Sequence, residues 1–358
     1  MKKLVILGGG YGGMKLLSLL IPNLPYNIMI ILIDKVPFHF LKTEYYAIAA
    51  GTISDQSVQI PFPKHPQVRI IQQEIVKVDI ENQKVYMAEG DFMEYDDLVI
   101  GLGCEDNYHQ VKGAKEFTNS IQTITKSKQT HKKLHALPSG AKVAIIGGGL
   151  SGVELAAELT ESKKELQIYL FDRGISILSS YPKKVSNYVE KWFSTQNVKV
   201  IKKCNITLIE ENLVYNHGSP EFFDCIVWTA GVKPSMVVNE LETEKDQKGR
   251  IILTKYHHIP NNEHVFVVGD CASLSQPPSA QLAEGQAEQI ATILICRWRG
   301  KILPSQMPPI KTKGVLGSLG KKRGFGLILN TPLTGRIPRI IKHGVLWKSK
   351  TQKGKNKE

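Results

Sequence analysis

Apolar residues in this chain come in short runs that stop at a glycine or an aspartate, and stretches with helical spacing lie between them. Leu4–Leu7 runs into a glycine cluster, and a leucine-rich helical pattern leaves that cluster and continues to Leu20. The next apolar run, Ile28–Ile33, closes on Asp34. The same events return at Val143–Leu159 (VAIIGGGLSGVELAAEL), position for position against Leu4–Leu20 (LVILGGGYGGMKLLSLL), and the following run, Ile168–Phe171, closes on Asp172. Tyr95–Gly103 (YDDLVIGLG) and Phe223–Gly231 (FDCIVWTAG) form a second echoing pair. Short apolar runs alternating with helical patterns predict βαβ units around a parallel sheet. An internal repeat of this kind predicts two such units in one chain.

The remaining pattern is filled in from the same rules. A short helix is predicted to end at Gly51, with further helices over Ile124–Leu137, Lys184–Gln196 and roughly Ser279–Cys296. Pro277, Pro278 and Ser279 give the last of these a start signal. Val68–Val85 reads as antiparallel strands crossing over the first sheet, and Val198–Ile209 as one strand. Near the end of the chain Leu333, Ile337, Ile340, Ile341, Gly344 and Trp347 share one helical face, and Arg336, Arg339, Lys342 and His343 the other. Proline is tolerated only in a first turn, which places this helix at about Pro338–Trp347.

The glycine positions bring in chemistry. Gly8, Gly10 and Gly13 have the G-x-G-x-x-G spacing of a dinucleotide-binding turn, and Gly147, Gly149 and Gly152 repeat it. The first glycine makes the tight turn, the second lets the backbone approach a pyrophosphate, and the third packs helix on strand. The phosphates then meet the free N–H groups and positive end of the helix. Asp34 and Asp172 stand where an acid accepts the ribose hydroxyls. Asp172 favours NADH over NADPH for that reason, while Arg173 beside it could pair with a 2′-phosphate. Val265–Asp270 (VFVVGD) puts a carboxylate at the carboxyl end of a further strand; on this chemistry alone Asp270 is as readily a turn residue as a ligand.

Composition excludes several classes. An apolar content of 42% and a charged content of 22% suit a globular protein, and no apolar run approaches the ~20 residues of a membrane span. The five cysteines are scattered singly, so no disulfide framework, metal knuckle or local redox dithiol is expected, and no metal site. The net charge of +13 is concentrated: Arg297–Glu358 carries 16 Lys and Arg against one acid. That imbalance points to an anionic partner, and the basic, tryptophan-bearing C-terminal helix suits an anionic membrane surface. Trp298, Phe325 and Trp347 make no recognisable stacking platform, and no nucleic acid is expected. The segment Lys348–Lys357 lacks apolar residues and is expected to be irregular.

Taken together, GGGYGG with Asp34, AIAAGT, YDDLVIGLG, GGGLSGVELAAEL with Asp172, WTAGVKP, VFVVGDCA, SAQLAEGQ and KGVLGSLGKKRGFG resemble the two-dinucleotide-binding-domain flavoproteins, and among them the type II NADH:quinone oxidoreductases. The resemblance runs from Leu4 to about Lys342. It implies an α/β fold of two Rossmann-like dinucleotide-binding domains, an FAD domain with an NAD domain inserted, plus a short C-terminal membrane-association region. The expected division is 1–110 and 241–304 for FAD, 111–240 for NAD(H), and 305–358 as the basic region on the membrane and quinone side. FAD and NADH are the implied cofactors, with NADPH less favoured, and quinone the implied acceptor.

Carried over residue by residue, the resemblance assigns Gly8, Gly10, Gly12, Gly13, Asp34, Thr43, Gly103, Asp270 and Ala280 to FAD. It assigns Gly147, Gly149, Gly152, Asp172 and Gly231 to NADH. It implies Glu154 beside the nicotinamide and flavin, Gln281 by the flavin at the quinone pocket, and Lys342 as proton donor to reduced quinone. The implied location is the cytoplasmic face of the cell membrane, with a homodimer as a possible assembly. Two departures stand out: Gly285 occupies a place where the family commonly has glutamine, and Glu284 puts a carboxylate beside a pocket expected to be apolar. A soluble NAD(P)H reductase of a ferredoxin- or flavodoxin-like protein, and a low-turnover flavoprotein with a binding role, are the alternatives.

Overall fold

The computed structural model describes residues 1–196 and 198–354, with side chains through Trp347. Its first sheet has five parallel strands in the order Val265–Val267, Asp97–Ile100, Lys2–Leu7, Ile28–Asp34, Val68–Gln72. Leu4 pairs with Ile30 on one side and Asp97 on the other. Alternate residues of the central strands serve opposite faces. Leu4, Ile6, Ile30 and Leu32 enter one core cluster, and Val5, Leu7, Ile31 and Ile33 another. Burial on both faces is why these runs are apolar throughout rather than alternating with polar residues.

The second sheet repeats the plan, in the order Asn119–Ser120, Cys225–Trp228, Lys142–Ile146, Gln167–Phe171, Val198–Ile201. Again the glycine-bearing strand is central, and Val143, Ile145, Ile168 and Leu170 face one cluster while Ala144, Ile146, Tyr169 and Phe171 face the other. The expectation of two parallel α/β units is met. The helices Tyr11–Leu20 and Leu150–Ser162 follow the glycine turns, and the long helix Ala280–Trp298, capped by the Ser279 hydroxyl on Leu282 N–H, packs against the first of them.

Two strand readings need correction. Val68–Gln72 is a parallel edge strand of the first sheet, and the antiparallel meander begins only at Ile75–Asp79, with Lys84–Met87 and Phe92–Glu94. The run read as a single strand over Val198–Ile209 is divided: Val198–Ile201 closes the parallel sheet, and Ile206–Glu210 opens a separate antiparallel sheet. Lys203 has a φ of +54° between them, a left-handed conformation that ends an extended run.

The carboxyl ends of the two sheets are stitched together. Cys104–Asp106, leaving the first unit, pairs antiparallel with Val232–Pro234, leaving the second. Asn107 N–H also donates to Gly231 C=O at 3.0 Å. Beyond the long helix, three antiparallel strands (Gly314–Leu319, Arg323–Ile328, Thr331–Gly335) lead into a C-terminal helix, Arg336–Gly354. Its first turn contains Pro338, as the sequence requires, but it continues beyond Trp347 into the segment expected to be irregular.

The C-terminal helix departs from the sequence reading: Lys342, on the basic side, is 7% exposed and Arg339 half-buried, while Arg336 and His343 are exposed, Ile340 and Trp347 are 70% and 65% exposed, and Leu333 lies on the preceding strand. Among the described residues no helix is long and apolar enough to cross a membrane.

Candidate active site

Each glycine turn forms an open cradle. A Cβ added to Gly13 would lie 2.1 Å from Gly8 C=O, and one added to Gly152 would lie 2.0 Å from Gly147 C=O. Glycine is therefore obligatory where helix meets strand. The central glycines differ: a Cβ on Gly10 or Gly149 meets nothing within 4 Å. Neither Gly10 nor Gly149 caps its helix with a side chain, so first-turn N–H groups stay available to an anion. Open space beside the central glycine and a positive helix end fit a pyrophosphate in both turns.

Asp34 and Asp172 hold their cradles in the same way. Asp34 accepts Gly9 N–H at 2.6 Å and Val36 N–H at 2.9 Å; Asp172 accepts Gly148 N–H at 3.0 Å and Gly174 N–H at 2.6 Å. Each carboxylate therefore shapes the turn and keeps lone pairs for a hydroxyl. Burial raises the Asp34 carboxyl above its ordinary range, against the pull of its N–H donors.

Around the first cradle the fold gathers residues that local pattern did not single out. Tyr11, in the middle of the glycine motif, hydrogen-bonds through its hydroxyl with Thr43 Oγ1 at 3.2 Å, and its ring meets His39 edge-on. His39 is fully buried, with Nδ1 2.9 Å from Gly9 C=O. Burial pushes the Tyr11 phenol up to about 12, so it remains a neutral hydrogen-bonding group. At the far side Cys104 Sγ donates to Asp270 Oδ2 at 2.8 Å, while Lys42 Nζ at 3.4 Å and Gln122 Nε2 at 3.0 Å reach the same sulfur. Asp270 thus stands by Cys104, and Gly103, with open space around its Cα, precedes it. The five cysteines are free thiols, and among the described residues no group of three or more His, Cys, Asp or Glu could hold a metal.

A charged cluster lies where the two units and the C-terminal region meet. Lys342 Nζ is 2.5 Å from Glu154 Oε1 and 3.4 Å from Glu44 Oε1, and donates to Tyr46 Oη at 2.8 Å. Glu154 Oε1 also accepts Ser318 N–H at 2.8 Å, and Ser318 Oγ receives Tyr46 Oη–H at 3.3 Å and Arg339 Nη1–H at 3.2 Å. Five elements supply it: the turn Lys42–Glu44, the helix Tyr45–Ala49, the second glycine helix, the strand Gly314–Leu319, and the C-terminal helix. Burial pushes Glu154 up to about 7, outweighing the lowering effect of the Lys342 charge. Burial alone would lower Lys342, but Glu154, then Tyr46 and Glu44, hold it above the ordinary lysine range.

The structure therefore joins Glu154 directly to Lys342. Gln281 is elsewhere: its Nε2 donates to Gly314 C=O at 2.7 Å and its Oε1 accepts Lys313 N–H at 2.7 Å. Gly314 and Ser318 stand at opposite ends of one strand, about 13 Å apart at the usual rise per residue. Ala280 opens the helix that carries Gln281. Gly231, at φ +118°, lies beside His109, whose Nε2 is 2.7 Å from Ala230 C=O. Glu44, next to Thr43, was not read as a site residue, because its partners Glu154 and Lys342 are far away in sequence.

Comparison with known proteins agrees with this geometry. Residues 2–287 match the family model described as pyridine nucleotide-disulphide oxidoreductase. The NADH dehydrogenase-like protein YutJ of Bacillus subtilis strain 168 is 56% identical over 99% of this chain and 100% of its own length. A type II NADH:quinone oxidoreductase of Haemophilus influenzae is 27% identical over 93% of this chain and 89% of its own. The solved structure of NDH2 from Plasmodium falciparum in complex with NADH superposes with a TM-score of 0.85 at 15% identity, covering 99% of this chain and 97% of that one. The chain belongs to the pyridine nucleotide-disulphide oxidoreductase family, among its NADH dehydrogenase-like members, and is an oxidoreductase.

Proposed function

We propose that this protein is a peripheral membrane NADH dehydrogenase that holds FAD in the Gly8 turn and NADH in the Gly147 turn and passes electrons to a quinone. The observation that carries this reading is the pair of open cradles whose strand ends are laced together by Cys104–Asp106 and Val232–Pro234. That lacing supports a shared crevice in which two planar rings can meet. Segments 1–110 and 241–304 would form the FAD domain, 111–240 the NAD(H) domain, and 305–358 the membrane side.

In this reading Gly10, Gly12 and the Tyr11–Leu20 helix start hold the FAD pyrophosphate, Asp34 its ribose, and Asp270, Thr43, Gly103 and Ala280 border the rest. Gly149, Asp172 and Gly231 do the corresponding work for NADH, and Asp172 favours a free 2′-hydroxyl. When bound, FAD supplies the two-electron chemistry between nicotinamide and acceptor. Glu154 and Lys342 hold protons in a dry interior. Gln281 is fixed at both ends of its amide by Lys313 and Gly314, which orients it rather than leaving it free to swing. A Cβ on Gly285 would fall 2.3 Å from Ile310 Cγ2, so Ile310 fills the space of the family's usual glutamine side chain and makes that wall apolar. Anaerobic NADH is expected to bleach the flavin spectrum of the purified protein, and a short-chain quinone to restore it. Absence of bleaching, or reoxidation that bypasses quinone, would count against the reading.

The outward apolar face of the C-terminal helix supports membrane attachment. Ile337, Ile340 and Trp347 are exposed on it, and the flanking region is strongly basic. Apolar side chains embedded at an anionic interface, with basic residues adding about 1 kcal/mol each, favour peripheral binding. Replacing Ile337, Ile340 and Trp347 together by glutamate is expected to cut binding to anionic vesicles at least tenfold in a sedimentation assay. Thermal stability should change little for the Ile337 and Ile340 replacements alone, because those two side chains already face outward.

A further inference from the structure

The buried charges around Lys342 do not balance. Glu154 and Glu44 are 3% and 7% exposed, and both lean on one ammonium. Arg339, the other cation here, bonds Ser318 and draws electrostatically on Glu158, a third buried carboxyl on the second glycine helix, which Thr52 also hydrogen-bonds. Tyr46 and Tyr181 face the same space as neutral phenols, both raised by burial first. Two cations against three carboxylates leave one negative charge in excess when all are ionised. An uncompensated interior charge is costly, and the usual relief is protonation. Glu44 Oε1 supports the same count, standing 3.4 Å from Nζ without a well-directed hydrogen bond.

We propose that Glu44 is a positioning residue that keeps one proton resident on the Glu44–Glu154–Lys342 cluster at neutral pH, for use in reducing the acceptor. The proposal rests on the redox reading above. The stoichiometry fits: NADH + H⁺ + A → NAD⁺ + AH₂, where A is a two-electron acceptor such as a quinone. The hydride carries two electrons and one hydrogen, so a single further proton must come from the protein and be replaced from solvent. Glu44 acts through Glu154. Its negative charge opposes ionisation of Glu154, the carboxyl that titrates near neutral pH.

The test is infrared difference spectroscopy of the oxidised full-length protein, without NADH or acceptor, across a pH titration. Wild type should show a buried carboxylic-acid C=O band with a midpoint near 7, and Glu154→Gln should remove it. Glu44→Gln should move the midpoint down by about one pH unit, since a like charge has been taken away. Glu44→Leu, which refills the volume with an apolar side chain, should do the same if the glutamine variant folds poorly. The alkaline limb of NADH:quinone turnover should shift in the same direction; a packing role would lower kcat equally at every pH. A midpoint unmoved in the Glu44 variants, or a band surviving Glu154→Gln, overturns the proposal. Failure of quinone as acceptor would leave the infrared result intact, so the two readings fail separately.

Discussion

Lys342→Met is expected to destabilise the protein by about 3–5 kcal/mol in urea denaturation at pH 8, the range for breaking one side of a buried ion pair. The substitution keeps the volume and removes the charge that Glu154, at 2.5 Å, and Glu44, at 3.4 Å, share. The loss should shrink on acidification. In wild type, Glu154 titrates near 7 in the folded protein, against about 4.3 in an unfolded chain. The folded state therefore holds the extra proton between those values, and the group's contribution to stability declines as pH rises through that window. Without Lys342, Glu154 has further reason to stay protonated, so the window extends upward and the penalty at pH 6 should be clearly smaller than at pH 8. A loss of equal size at both values would mean that the ammonium is not what neutralises these groups.

Gly10→Val should leave the fold intact and, on the proposed function, abolish flavin binding. Gly10 has φ −68° and ψ −162°, an extended conformation open to any residue, and no atom lies within 4 Å of a Cβ built there. Nothing in the protein resists the side chain, so stability should change by no more than about 0.5 kcal/mol. The valine would instead occupy the space through which a pyrophosphate reaches the helix N–H groups, and flavin affinity should fall at least 100-fold, about 2.7 kcal/mol. Flavin absorbance after desalting measures it. Gly13→Val is the contrast: with Gly8 C=O at 2.1 Å from the added Cβ, it should damage folding itself.

Both glycine turns could be read before any coordinates because their requirements are local. The tight turn, the close backbone approach and the helix–strand contact each demand glycine within six residues, and Asp34 and Asp172 are fixed by the strand that carries them. The C-terminal helix shows what the pattern cannot supply. Its spacing sets Ile340 and Trp347 apart from Lys342, but which side faces inward depends on Tyr46, Glu154 and Glu44, 296, 188 and 298 positions before Lys342. The division of Val198–Ile209 escaped notice for another reason: Lys203 is not a residue type that announces a left-handed turn. Tyr11 and His39 escaped too, since a tyrosine within a glycine motif and a histidine between phenylalanines carry no signal of their contact.

The inward placement of Lys342 has a mechanical consequence. An α-helix with its side chains is only about 10 Å across. Whatever surface covers Ile340 and Trp347 is therefore one rod's width from the ammonium on the opposite side. The helix packs on the strands Gly314–Leu319 and Arg323–Ile328, so any change in that packing would alter the distance between Lys342 and its two carboxylates.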